Sequence, residues 1–167
     1  MKERICIVTG ANSGIGKETA RRLAKDGAQL VMVSRNPEKG EAARQELVHS
    51  TGSEKIDLRI ADISLLDNVR QLAKEIQESY EKIDVLINNA GFMGYPERRL
   101  TQEGIESTVA TNHLGPFLLT RLLEEHLLKS DYARVVFVSS VVHSMGKLNF
   151  DYLEMEHEYK VFQAYSN

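Results

Sequence analysis

Two hydroxyl side chains and one glycine-rich turn carry the chemistry this sequence can offer. Ser140 and Tyr165 suit a carbonyl or an alcohol. A serine hydroxyl can hydrogen-bond the reacting oxygen while a tyrosine hydroxyl passes it a proton. A free phenol, with a pKa near ~10, exchanges protons poorly at neutral pH. It needs a nearby cation to stabilise the phenolate and bring its pKa toward the working range. Spacing alone leaves both residues open to a structural role.

The turn is Thr9-Gly10-Ala11-Asn12-Ser13-Gly14-Ile15-Gly16. A short apolar run, Ile5-Cys6-Ile7-Val8, precedes it and reads as a buried strand. A helical pattern follows it, with Gly16, Ala20, Leu23, Ala24 and Gly27 on one face. A glycine turn between strand and helix brings backbone N–H groups close to a phosphate, and the helix N-terminus adds partial positive charge. Gly10 would allow the tight turn, Gly14 the close approach of a pyrophosphate, and Gly16 the packing of helix on strand. The spacing is G-x-x-x-G-x-G rather than the commoner G-x-G-x-x-G. A glycine triplet alone is equally a structural turn; the strand before and helix after favour a dinucleotide.

The elements that must position these groups alternate. Strands are expected over 28–34, 55–60, 83–87 and 133–138 in addition to the first. Asn36-Pro37 is a helix start, with an N-cap and then a residue preset for the first helical position. Ser64-Leu65-Leu66-Asp67 resembles a capping box. Thr101 can cap a helical stretch to about Lys129, bent near Gly115-Pro116. Five strand–helix alternations predict an α/β fold, a Rossmann-like doubly wound parallel sheet with helices on both faces. The polar clusters at 9–16, 34–36, 62, 88–91 and 139–140 all follow strands, where ligands gather in such sheets.

The second strand ends Ser34-Arg35-Asn36, without the acid that would bind a ribose 2′-hydroxyl. Arg35 could pair with a 2′-phosphate, and Lys17 could approach it, so NADP is the expected cofactor. Asp62 is placed to accept from an adenine amino group, with Ile63 against the ring face. Phe92, Met93 and Met145 could line a lipophilic site or pack loops. His113, His126 and His143 show no metal spacing, and Glu154, Glu156 and Glu158 read as a solvated face.

The 167 residues carry 21 basic and 24 acidic side chains, a net charge of −3, which gives no electrostatic case for nucleic acid. The one cysteine, Cys6, reads as a small buried hydrophobe. No apolar run approaches the ~18 residues of a transmembrane helix, and the expected location is cytoplasmic.

Thr9-Gly10-x-x-x-Gly14-Ile15-Gly16, Asn88-Asn89-Ala90-Gly91, Asn112, Ser139-Ser140 and Ala164-Tyr165-Ser166-Asn167 occur in order. Together they resemble the short-chain dehydrogenase/reductase family. The long interval from Ser140 to Tyr165, holding Gly146-Lys147-Leu148-Asn149-Phe150, is most similar to its retinol-dehydrogenase-like branch. That branch includes the WW-domain oxidoreductases and resembles protochlorophyllide reductase. The resemblance implies that Gly10, Ser13, Gly14, Ile15 and Gly16 hold the pyrophosphate end of NADP. It implies that Asn89 lies beside the adenosine ribose, with Ala90 and Gly91 leaving room for cofactor. Asn112 would kink its helix and hold a water in a proton relay. Ser140 would bind and orient the substrate carbonyl, and Tyr165 would be the general acid in reduction. The implied substrate is a small lipophilic carbonyl or alcohol, such as a retinoid, steroid or other aldehyde or ketone. The implied intact parent is homodimeric.

The family motif is Tyr-x-x-x-Lys, and this sequence ends two residues after Tyr165. The lysine position, the sixth and seventh strands and the substrate-pocket segment of the family fall beyond it. The expectation is therefore one dinucleotide-binding domain over 1–167, C-terminally truncated relative to the family and weakly active or inactive alone. An inactive NADP-binding module working through a protein partner, or a fragment with uncovered apolar surface on its fifth strand, is the alternative.

Overall fold

The computed structural model describes residues 1–151 and 153–167. Five parallel strands form one sheet: β1 (Ile5–Thr9), β2 (Gln29–Ser34), β3 (Ile56–Ile60), β4 (Val85–Asn88) and β5 (Arg134–Phe137). Their spatial order is β3-β2-β1-β4-β5, with Ile7 opposite Val31 on one side and Leu86 on the other. Between the strands run α1 (Gly14–Lys25), α2 (Pro37–Thr51), α3 (Leu66–Ser79), α4 (Ser107–Val109), α5 (Gly115–Leu122) and α6 (Glu124–Leu128). The last helix, α7, covers Val161–Ser166.

Successive side chains of a strand point to opposite faces, so a central strand between two helical layers must be apolar throughout. Ile7, Val31, Val33 and Leu86 face a core completed by Val69, Leu72 and Ile76 of α3 and Leu119 of α5. Cys6, Val8, Leu30, Met32, Val85 and Ile87 face the other, completed by Ala20 and Ala24 of α1 and Ala43 and Leu47 of α2. The small residues of α1 and α2 let both helices lie close to the strands. The sheet is Rossmann-like, and the chain reverses its direction of winding between β1 and β4.

Asp84 ties the start of three strands. Its Oδ2 accepts from Ile5 N (2.8 Å), its Oδ1 from Ser130 Oγ (2.6 Å), and its carbonyl from Arg134 N (2.9 Å). Burial pushes its carboxyl up, but the hydrogen bonds from Ser130 and Ile5 and the charges of Lys82 and Arg4 outweigh burial and hold it below its ordinary value.

Two local expectations are corrected. Thr101 caps no helix: its N–H donates to the Ile105 carbonyl (2.8 Å), Gly104 adopts φ +80°, and Leu100 pairs antiparallel with Glu106. This turn delays the helix to Ser107, where the Glu106 carboxyl accepts from Thr108 N and Val109 N at 2.9 Å each. A π turn over Ala110–Leu114 then precedes Gly115-Pro116, and the helix breaks again at Leu123. Ser64 does not cap α3. The side chain of Glu103 does, accepting from Leu66 N (2.8 Å) and Asp67 N (3.0 Å). β5, apolar in sequence, is exposed along its length, which matches the uncovered fifth strand expected of a truncated chain.

Candidate active site

The β1–α1 turn depends on two left-handed glycines, Gly10 at φ +65° and Gly14 at φ +53°. A Cβ at Gly10 would come within 2.9 Å of Ala90 Cα, whereas one at Gly14 would meet only open space. Gly16 lies against the Gly10 carbonyl and the Asn89 amide, too close for any side chain. Ser13 is the N-cap of α1, in extended conformation, and its hydroxyl makes no capping bond.

Asn89, just after β4, locks this turn. Its Nδ2 donates to the carbonyls of Thr9 (2.8 Å) and Gly10 (3.4 Å). The Thr9 hydroxyl accepts from Asn89 N and Ala90 N, both at 3.0 Å. The β1 and β4 ends are thus fixed together at the point where winding reverses, and a cavity of about 660 Å³ opens there.

Of the residues expected to bind cofactor, Gly10, Ser13, Ile15, Gly16, Arg35, Asp62, Ile63, Asn89, Ala90 and Gly91 line this cavity. Gly14 does not line it and faces a separate hollow with Glu18, Thr19 and Arg22 of α1. Lys17 differs from the sequence reading: it points along α1 toward α2, where its Nζ pairs with Glu46 (3.0 Å), and it does not line the cavity. The sequence reading missed Lys39, which does line it beside Arg35, Asn36 and Pro37. Lys39 is three residues past the N-cap Asn36, whose side chain accepts from Lys39 N (2.8 Å). That helical offset was the available signal. Asn12, Val33, Ala61, Tyr95 and Thr111 also line the cavity and were missed.

Asp62 is partly engaged already. Its Oδ1 accepts from Ser64 N (3.0 Å) and Ser64 Oγ (2.7 Å), and its Oδ2 lies 3.9 Å from the Arg35 guanidinium. The Ile63 carbonyl rests against Gly115, where a side chain would displace it. At the far end, Asn112 sits in the π turn and grips Phe92 with both arms: Nδ2 donates to the Phe92 carbonyl (2.9 Å) and Oδ1 accepts from Phe92 N (3.0 Å). Phe92 lines the cavity and meets Tyr95 edge-on at 5.4 Å, whereas Met93 and Met145 are exposed.

Ser140 caps the short 3-10 turn Val141–Met145, its Oγ accepting from Val142 N (3.3 Å). Tyr165 is half-buried in α7. The two elements touch: Gly146 packs on the Ser166 carbonyl, and Lys147 N donates to Asn167 Oδ1 (3.1 Å). No hydrogen bond joins Ser140 to Tyr165 among the described residues, and neither lines the cavity. Among the described residues no helix is long and apolar enough to cross a membrane.

The family model for short chain dehydrogenases matches residues 4–151. Human retinol dehydrogenase 11 is 42% identical over 162 residues, covering 97% of this chain and 51% of that protein. A short-chain dehydrogenase/reductase from Penicillium roqueforti is 39% identical over 171 residues, covering 100% of this chain and 49% of that protein. The chain thus spans about half the length of the curated relatives it matches. A crystal structure from Mycobacterium paratuberculosis superposes with a TM-score of 0.85 at 41% identity, over 99% of this chain and 57% of that one. A short chain dehydrogenase from Escherichia coli, complexed with NADPH, superposes with a TM-score of 0.79 at 29% identity, over 99% and 65%. Glycine turn, asparagine lock and whole-length sequence likeness agree, and the chain belongs to the retinol-dehydrogenase-like branch of the short-chain dehydrogenase/reductase family.

Proposed function

We propose that the cavity binds NADP and that the whole protein is an oxidoreductase acting on a lipophilic carbonyl or alcohol. The observation that carries this reading is the pair of cations, Arg35 and Lys39, on the cavity wall just past β2. Their charges complement a 2′-phosphate, and Glu38 between them in sequence does not line the cavity. The uncommitted Ser13 hydroxyl on the cavity wall fits a pyrophosphate. NADP and NADPH complexes of related oxidoreductases support the same choice.

Bound NADPH supplies a hydride; the chain supplies position and a proton. In this reading Gly10, Ser13, Gly14, Ile15 and Gly16 hold the pyrophosphate end. Asp62 accepts from the adenine amino group and Ile63 covers the ring. Asn89, Ala90 and Gly91 shape the ribose end. Asn112 steadies the Phe92 wall and holds a water in the proton relay. Ser140 orients the substrate oxygen, and the Tyr165 phenol donates its proton to that oxygen in reduction. The substrate is a retinoid, a steroid or another aldehyde or ketone, as the retinol dehydrogenase relatives suggest, and residues 1–167 are its dinucleotide-binding domain.

Calorimetry with NADPH and NADH tests the cofactor half. NADPH is expected to bind at least about tenfold more tightly. Arg35→Ala and Lys39→Ala should each weaken NADPH roughly tenfold, the equivalent of ~1.4 kcal/mol, and leave NADH unchanged. Equal binding of the two nucleotides overturns the 2′-phosphate assignment. A folded chain that binds neither overturns the site.

A second reading, an NADP-binding module that works through a protein partner without turnover, draws on exposed Val135, Val136, Phe137 and Val138 of the β5 region. NADPH oxidation driven by retinal in the whole protein decides between them. Turnover lost in Tyr165→Phe supports the enzyme, and nucleotide binding without turnover supports the module.

A further inference from the structure

We infer that Glu154 is a positioning residue for Tyr165, acting through a clasp that ties the approach to α7 onto the turn that opens α4. The inference rests on the catalytic reading of Tyr165 only for its consequence; the clasp stands on geometry.

Glu154 is held from two directions. Arg98 Nε donates to the Glu154 carbonyl (2.9 Å), with its guanidinium 3.6 Å from Glu154 Oε2. The backbone N–H of Glu106 donates to the same Oε2 (3.0 Å). Glu106 is 1% exposed, and its own carboxyl takes Thr108 N, Val109 N, Thr108 Oγ1 and Ser107 Oγ. That cap starts the helical run whose next turn carries Asn112. Glu154 therefore fixes the segment leading to Tyr165 against the segment leading to Asn112.

The chain between Glu154 and α7 would not hold its course unaided. Met155 at φ +49° and Glu158 at φ +54° are non-glycine residues in the left-handed region. Such conformations persist where surrounding contacts over-determine them. Met155 is buried, and Tyr159 and Val161 pack where a side chain at Gly94 would lie. The half-buried pair with Arg98 has its charged groups 3.6 Å apart and adds a second, looser hold. The contact that matters is the hydrogen bond to Glu106 N, whose loss would leave a shielded donor unpaired.

Hydrogen–deuterium exchange on the 167-residue chain tests the clasp, with 3-fluorotyrosine at position 165 as a fluorine-NMR reporter and NADPH as the ligand probe. Glu154→Ala is expected to speed exchange over 159–167 on the order of tenfold and to shift the fluorine resonance. Exchange in β1 and β4 should stay unchanged, because Glu154 touches neither strand. Glu154→Gln keeps an oxygen for Glu106 N and should restore most of the protection. Arg98→Met should loosen the same segment to a smaller degree. Unchanged exchange over 159–167 in both Glu154→Ala and Arg98→Met overturns the inference. Uniform loosening of the whole sheet in Glu154→Ala overturns it as well, by showing a general structural role. Failure of the wild-type chain to bind NADPH would count against the cofactor reading and leave the exchange result to judge the clasp.

Discussion

The Thr9 hydroxyl accepts from both the Asn89 and Ala90 backbone N–H groups while the Asn89 side-chain amide donates back to the Thr9 carbonyl. Thr9 is fully buried, so its hydroxyl is the partner those two donors rely on. Thr9→Val keeps the shape and removes the acceptor. It is expected to cost about 1–3 kcal/mol in urea unfolding, and to weaken NADPH binding because the cavity loses its fixed corner. Unaltered unfolding and binding would show that water replaces the hydroxyl without penalty.

Asp84 predicts an acid weakness. Its folded pKa is depressed, so the stability it contributes is present above its unfolded value of about 3.9 and lost as pH falls through the folded value. Asp84→Asn should lower stability at neutral pH, and the gap to wild type should narrow below about pH 4. Denaturant unfolding at both pH values measures this. A gap that is constant with pH would show that the carboxyl's charge is not what Ile5 and Ser130 hold.

Tyr80 predicts the opposite edge. Burial, and then the hydrogen bond from its hydroxyl to Asp57 Oδ2 (2.8 Å), push its phenol up to about 12. A raised pKa contributes stability that is complete below the unfolded value of about 10 and lost as pH rises through the folded one. Ultraviolet titration should show a late phenolate wave near pH 12. Tyr80→Phe should abolish that wave and cost about 1 kcal/mol at pH 8. A spectrum that is complete by about pH 11 would contradict the burial of this hydroxyl.

The glycine turn was legible in sequence because left-handed backbone at Gly10 and Gly14 admits few other residues, and β1, β2 and β4 because strands covered on both faces need nearly unbroken apolar runs. What stayed hidden was held by partners distant in sequence. Glu103 caps α3 from 37 residues away, and no local pattern announces it. Lys17 was drawn to Glu46, 29 residues on, while Lys39 reached the cavity by its place on a helical turn. Glu154 looked like its exposed neighbours Glu156 and Glu158, and only the fold brings Arg98 and Glu106 to it. Thr101 failed as a cap because Gly104 turned the chain back first.

The central place of β1 has a consequence for how the molecule is made. β1 meets β2 across a short crossover, but its other neighbour, β4, arrives only after two more helices and β3. The bonds that join β1 to the β4 region at its two ends, Thr9 to Asn89 at the cavity and Ile5 to Asp84 at the opposite edge, each link residues about 80 positions apart. Closing so long a loop is entropically costly and slow relative to local pairing. During synthesis the first three strands can associate while the glycine turn still lacks its asparagine. On the proposed function, nucleotide affinity is therefore gained late, when β4 docks, and ligand present at that moment would draw the nascent chain toward its finished sheet.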